Sequence, residues 1–96
     1  MTNGSRRYQK VLWHHDFPNE PVTLYSEIGS GYEVRKVEIY RDGRHDYADQ
    51  SRSTGTTALG EILTPRVEEI NQDPQYTATA ITALEFEEVW QRATEP

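Results

Sequence analysis

His14, His15 and Asp16 form the densest run of potential metal ligands or acid–base groups in the chain, and His45, Asp46 and Asp49 offer a second contribution. Zinc needs three or four donors converging on one point. Consecutive strand residues point to opposite faces, so only His14 and Asp16 can converge locally. The pattern therefore predicts no metal site and no cofactor, with His15 packed beside Trp13 and His14 solvated. Asp16 and Glu20 flank Phe17-Pro18 and are expected to cap that turn, with recognition of a cationic group as the functional alternative. Glu27, Glu33 and Glu38 could supply the carboxylate pair of a glycoside hydrolase, yet such pairs arise by chance among sixteen acids. Arg35 and Lys36 lie between Glu33 and Glu38, a neutralised pattern that reads as cross-strand pairing on a solvated sheet. An anion clamp built on the Arg35 fork is the alternative. The Ser/Thr-rich stretch around Ser51, Ser53, Thr54, Thr56 and Thr57 has neither a Gly-Lys-Ser/Thr ending nor a Gly-x-Ser-x-Gly elbow, and it reads as a mobile loop.

The elements that must position these groups can be read from periodicity. Tyr8 to His15 is rich in aromatic and β-branched residues and predicts a first strand, followed by a broad turn at Asp16 to Pro21, where two prolines remove ladder donors. Val22 to Ile28 alternates as a half-buried strand must, with Val22, Leu24 and Ile28 on one side and Thr23, Tyr25 and Glu27 on the other. Gly29-Ser30-Gly31 closes a hairpin into a third strand, Tyr32 to Arg41. Its apolar parity changes across Arg35-Lys36, which predicts a β-bulge there. Asp42-Gly43 signals a type I′ turn into a fourth strand, Arg44 to Ala48. Asp49 to Ala58 has no apolar periodicity; Leu59, Ile62 and Leu63 are expected to return the chain to the core. Thr64-Pro65 predicts a short helix to Asn71, and Gln75 to Ile81 predicts a fifth, edge strand. Thr82 and Glu85 fit a capping box that opens a final helix to Ala93, with Phe86, Val89, Trp90 and Ala93 on one stripe.

The expected architecture is α+β: a four- to five-stranded antiparallel sheet with two helices packed on one face, as a single domain over residues 8–94 behind a disordered terminus at 1–7. The other face would then display Tyr25, Glu27, Glu38, Tyr40 and Leu12. Size permits one modest core, and the absence of cysteine excludes disulfides and thiolate chemistry. There is no apolar run of membrane-spanning length and no signal-like start, which predicts a cytoplasmic protein. Residues 1–48 carry seven Lys/Arg and seven Asp/Glu, whereas residues 49–96 carry three and nine, so the net charge of −6 lies in the second half. That balance disfavours nucleic acid, whose binding draws on basic surface, and favours a partner protein with a basic surface.

Two stretches carry a family resemblance. Trp13-His14-His15-Asp16-Phe17-Pro18-Asn19-Glu20-Pro21-Val22-Thr23-Leu24-Tyr25-Ser26-Glu27-Ile28 and Tyr32-Glu33-Val34-Arg35-Lys36-Val37-Glu38-Ile39-Tyr40-Arg41-Asp42-Gly43 resemble a family of small uncharacterised bacterial proteins, a domain of unknown function. Thr82 to Trp90 fits it too, and the similarity runs from Tyr8 to Ala93. The resemblance assigns no catalytic residues; what it adds is an analogy with the immunity partners of bacterial toxins.

These readings converge on a non-enzymatic protein-binding module, in its specific form an immunity-type inhibitor of a basic toxin or enzyme. His15, Asp16, Tyr25, Glu27, Arg35, Glu38 and Tyr40 are its candidate contact residues. Two alternatives come from other classes. One is a small enzyme or ligand-binding domain using His14, His15, Asp16 and Arg35; the other is a homo-oligomeric structural subunit.

Overall fold

A computed structural model describes residues 5–95. Five strands, β1 (Arg6–Trp13), β2 (Thr23–Gly29), β3 (Tyr32–Ile39), β4 (His45–Ala48) and β5 (Tyr76–Ile81), form one sheet in the order β4-β3-β2-β1-β5. Every neighbouring pair is antiparallel. Two helices complete the chain, α1 (Val67–Ile70) and α2 (Ala83–Thr94). The α+β class and the antiparallel sheet are as expected. β1 starts earlier than the sequence implies, because Arg6 and Arg7 pair with Gly29 and Ile28. The expectation of disorder over 1–4 lies outside the described residues.

The two turns exchange their chemistry. Ser30 and Gly31 both have positive φ, 55° and 89°, and connect the directly paired Gly29 and Tyr32, so the two-residue type I′ turn sits there. At Asp42-Gly43 only Gly43 has positive φ, 91°, and its N–H donates to Tyr40 O at 2.9 Å. That is a type I turn closed by a glycine bulge.

Glu27 pairs with Arg35 while Ile28 pairs with Glu33, leaving Val34 as the extra residue of a bulge just ahead of the expected Arg35-Lys36. The slip decides which side chains share a face. Tyr8, Lys10 and Leu12 lie with Tyr25 and Glu27, and with Arg35, Val37 and Ile39, on what we term the helix face. Gln9 and Val11 lie with Leu24, Ser26 and Ile28, and with Glu33, Lys36 and Glu38, on the loop face. A sheet face displaying Tyr25, Glu27, Glu38 and Tyr40 together is therefore not formed, since the slip at Val34 sends Glu38 and Tyr40 to the loop side.

α2 covers one end of the helix face. Thr82 caps it, accepting from Glu85 N–H at 3.1 Å while the Glu85 carboxylate accepts from Thr82 N–H at 2.9 Å. Phe86 is fully buried between Tyr8 and Trp90, at ring-centroid separations of 5.6 and 6.2 Å. With Val37, also fully buried, it forms the centre of the packing on this face, and its burial is worth about 1.5–3 kcal/mol.

α1 does not share that face. It is a single turn beside β5 on the loop side, where Asn71 accepts from Ala78 N–H at 2.7 Å and donates to Ala78 O at 2.9 Å. The Asn71 amide thereby occupies the outer edge of β5, a pairing that discourages a further strand. The helix begins after Arg66 rather than at Thr64-Pro65, and the Thr64 N–H instead ties the chain to the hairpin turn by donating to Gly31 O at 2.8 Å.

The segment from 49 to 66 is anchored rather than free. Ser51 and Arg52 N–H both donate to Asp49 Oδ1 at 2.9 Å, Ser53 bridges to Ala48, and Thr54 is bonded to Tyr47 and Asp46. It crosses the loop face with Thr57 inward and Ile62 and Leu63 outward, 78% and 62% exposed. The expected return of Ile62 and Leu63 to the core is thus reversed.

Candidate functional site

The expected contact residues fall into three places. At the covered end of the helix face, Glu27 accepts from Arg35 Nε at 2.5 Å, receives the Tyr8 hydroxyl at 3.3 Å and lies 3.6 Å from Arg6 Nε. Arg35 also forms a two-pronged pair with Glu87 of α2, and its guanidinium stands 5.0 Å from the Phe86 ring centre and 5.1 Å from that of Trp90. The hydrogen bond to Glu87, with that to Glu27, raises the Arg35 pKa against the opposing effect of burial. The same hydrogen bond holds the Glu87 carboxyl below the usual range. Burial, with the Glu27 charge beside it, raises the Tyr8 hydroxyl. This arrangement docks α2 on the sheet. The expected cross-strand pairing is formed between Arg35 and Glu27, but it lies sequestered under α2 rather than solvated, and its groups are engaged with one another.

His15 organises the turn after β1. Its Nδ1 accepts from Phe17 N–H at 2.9 Å, and its Nε2 lies 2.8 Å from Pro21 O, which fixes the proton on Nε2. The ring packs at a tilt against Trp13 at 4.1 Å and stacks on Phe17 at 5.3 Å. Both nitrogens are thereby occupied. Asp16 is exposed, and the Phe17 N–H that organises the turn is taken by His15 rather than by a carboxylate cap. His14 is exposed with Nε2 2.7 Å from Thr77 Oγ1. Arg41, not Arg35, is the cation here, donating to His15 O at 2.5 Å. Arg35 is level with Tyr8 across the strands, five residues along β1 from Trp13, a separation of roughly 17 Å. The constellation of His14, His15, Asp16 and Arg35 is therefore not brought together. Among the described residues no group of three or more His, Cys, Asp or Glu is placed to hold a metal ion.

On the loop face, Glu38 accepts from the Thr57 hydroxyl and sits 3.5 Å from Lys36 Nζ, which also faces Glu33 at 3.6 Å and donates to Ala58 O at 3.0 Å. Glu33 in turn receives the Ser26 hydroxyl at 3.0 Å and Gly60 N–H at 2.7 Å. Tyr40 is buried at the edge under the Arg44 guanidinium, 4.3 Å from its ring centre, and burial, with a hydrogen bond to Asp46, raises its pKa. Sequence reasoning missed Gln9, Ser26 and Thr57 as buried polar groups. The signal was present in two of them: Gln9 is in phase with Val11, and Ser26 with Leu24 and Ile28.

Of the expected surface, Tyr25 and Leu12 remain accessible. They lie on the half of the helix face beyond α2, with Lys10, Thr23, Ile39 and His45 partly exposed around them. Lys10 Nζ lies 5.8 Å from the Tyr25 ring centre.

One antiparallel sheet, capped by an amphipathic helix on one face and sealed by a polar loop on the other, defines an α+β protein. The chain belongs to the family described as Domain of unknown function (DUF6881), which matches residues 7–95. No curated protein and no solved structure is significantly similar to it. Among the described residues, no helix is long and apolar enough to cross a membrane.

Proposed function

We propose that the protein is a non-enzymatic binding module of the bacterial cytoplasm whose partner is another protein with a basic surface, in its specific form an immunity-type inhibitor of a toxin or enzyme. The observation that carries this reading is how the charges divide into groups engaged within the chain and groups left free. Arg6, Arg7, Arg35, Lys36, Arg41 and Arg52 are held by ion pairs or hydrogen bonds, and Lys10 and Arg44 lie over tyrosine rings. Asp16, Glu20, Glu61, Glu68, Glu88 and Glu95 have no such partner among the described residues. Eight of the ten cations are thus engaged within the chain, leaving Arg66 and Arg92, against six unpaired carboxylates, so with a net charge of −6 the long-range field is that of a polyanion. Such a field accelerates association with a basic protein and opposes nucleic acid.

Tyr25 and Leu12, on the half of the sheet that α2 leaves open, supply the apolar contact that charge alone lacks. The same half-open strip would serve a second copy of the chain, and light scattering at two concentrations separates that reading from a monomer. The test is affinity capture from the native host. A saturable basic partner is expected, released by salt and bound more weakly by Tyr25→Ala; recovery of no saturable protein partner would overturn the proposal.

A further inference from the structure

Between α1 and the loop face lies a cleft of about 560 Å³ that the proposed contact surface does not use. Its volume suits a small ligand or a single inserted side chain. The floor contains two buried polar residues, Gln9 and Ser26, 3% and 4% exposed and directly opposite one another on β1 and β2. Arg7 Nη1 donates to Gln9 Oε1 at 2.9 Å. That bond orients the amide, because a guanidinium has no acceptor and must meet the oxygen. The Gln9 NH₂ group then has no protein partner among the described residues and, unlike the buried Trp13 Nε1, still reaches solvent, so it is a donor free to meet a group in the cleft.

Ser26 is complementary. Its only hydroxyl proton goes to Glu33 at 3.0 Å, so what it retains is acceptor capacity. Directly opposite residues in an antiparallel pair stand about 5 Å apart, so the floor offers one donor beside one acceptor. Val11, Leu24, Ile70 and Tyr76 supply the apolar walls, whereas Glu33, Glu69 and Asp73 contribute carboxylates.

From this arrangement we infer that the cleft binds an uncharged primary or cyclic amide with an apolar flank. In such a group C=O and N–H lie side by side, so the carbonyl accepts from Gln9 while the N–H donates to Ser26. The three carboxylates repel an anion of the same shape, and the walls take the flank. The amide could belong to a free small molecule or to an Asn or Gln side chain of a partner protein. The inference stands independently of the charged-surface reading, since it shares with it only Arg7, whose engagement within the chain both require.

The test is titration of the ¹⁵N-labelled protein with benzamide, with the isosteric anion benzoate and with the peptide acetyl-Leu-Gln-Leu-N,N-dimethylamide, whose one primary amide is the Gln side chain. Benzamide should shift the Gln9 side-chain NH₂ pair and the Ile70 amide saturably, and benzoate should not. A peptide that binds more tightly than benzamide assigns the amide to a protein side chain; the reverse assigns it to a free ligand. Gln9→Glu keeps the acceptor for Arg7 and removes the donor, so it should weaken benzamide at least tenfold with the rest of the spectrum unchanged. If that variant does not fold, Ser26→Ala provides the same test from the acceptor side. Equal response to benzoate, or no saturable shift with benzamide or peptide, would overturn the assignment.

Discussion

The two faces of the sheet are built from different chemistry. The helix face is closed by Phe86 and Val37, both fully buried, around one ion cluster centred on Glu27. The loop face buries the smaller side chains of Val11, Ile28, Ala48 and Ala78, and hydrogen bonds at Thr57, Lys36 and Glu33 tie the sheet to a segment whose large apolar residues, Ile62 and Leu63, point outward. Apolar burial stabilises in proportion to area, whereas a hydrogen bond contributes only about 0.5–1.5 kcal/mol net because water competes for both partners. The largest single apolar contribution is therefore that of Phe86, on the helix face. The loop face adds to smaller buried side chains a set of directed polar contacts, and a geometry of that kind is what a recognition cleft requires.

The sharpest way to break this comparison is to truncate one equally sequestered side chain on each side. Phe86→Ala removes a ring in contact with Tyr8, Trp90 and the Arg35 guanidinium, with an expected loss of about 3–5 kcal/mol. For a chain of this size the total stability is roughly 5–14 kcal/mol, so the variant should be largely unfolded at moderate urea. Thr57→Ala, at a residue only 5% exposed, should cost about 1 kcal/mol. Urea denaturation of both variants is the measurement. Similar losses would mean that the loop face carries structural weight equal to that of the helix face.

A second substitution probes the loop face where its charges meet. Lys36→Met withdraws the cation that Glu33 and Glu38 share and the donor to Ala58 O. Two half-buried carboxylates are left facing each other, with an expected cost of about 2 kcal/mol, more than the loss of the Thr57 hydroxyl because charges are harder to leave unpaired than hydroxyls. Hydrogen exchange at Gly60 N–H, which donates to Glu33, should accelerate while the amides of α2 remain protected. Equal acceleration in α2 would show that the faces are one cooperative unit.

The helix face was the more legible of the two. Thr82 and Glu85 at capping-box spacing, with Phe86, Val89 and Trp90 on one stripe, placed α2 and its buried side, because these signals are local. Register was harder to read. The type I′ turn at Ser30-Gly31 taken alone would set Glu38 opposite Thr23, on the same side as Tyr25 and Glu27; the extra residue at Val34 shifts the pairing so that Glu38 meets Leu24 instead. One bulge thus separated residues expected to share a contact surface. The loop face was scarcely legible, because Ser and Thr in a segment without periodicity give no sign that Thr57 will be buried against Glu38. Gln9 and Ser26 were the exception, as polar residues in core phase, and they line the proposed cleft.

The smallest expected effect concerns the link between the helix face and solvent. Glu87 is half-exposed, and its hydrogen bond to Arg35 holds its pKa below the ordinary value of 4.5. A carboxyl with a lower pKa in the folded state binds fewer protons than its unfolded counterpart, so its contribution is complete above about pH 4.5 and is lost as pH falls toward the folded-state value. Asp49 and Glu85 share that sign, with backbone N–H donors from Ser51 and Thr82 the first cause in each. Glu87→Gln should lower stability at neutral pH by about 0.2–1 kcal/mol, since exposure screens the pair. Below the folded-state pKa the difference should narrow, because the wild-type carboxyl is then neutral as well. Arg35 retains Glu27 in either case, so α2 should stay docked and the Phe86 ring should remain protected from solvent. A stability difference that grows on acidification would mean that Glu87 acts through something other than its charge on Arg35, and the helix face would then owe correspondingly less to that ion pair.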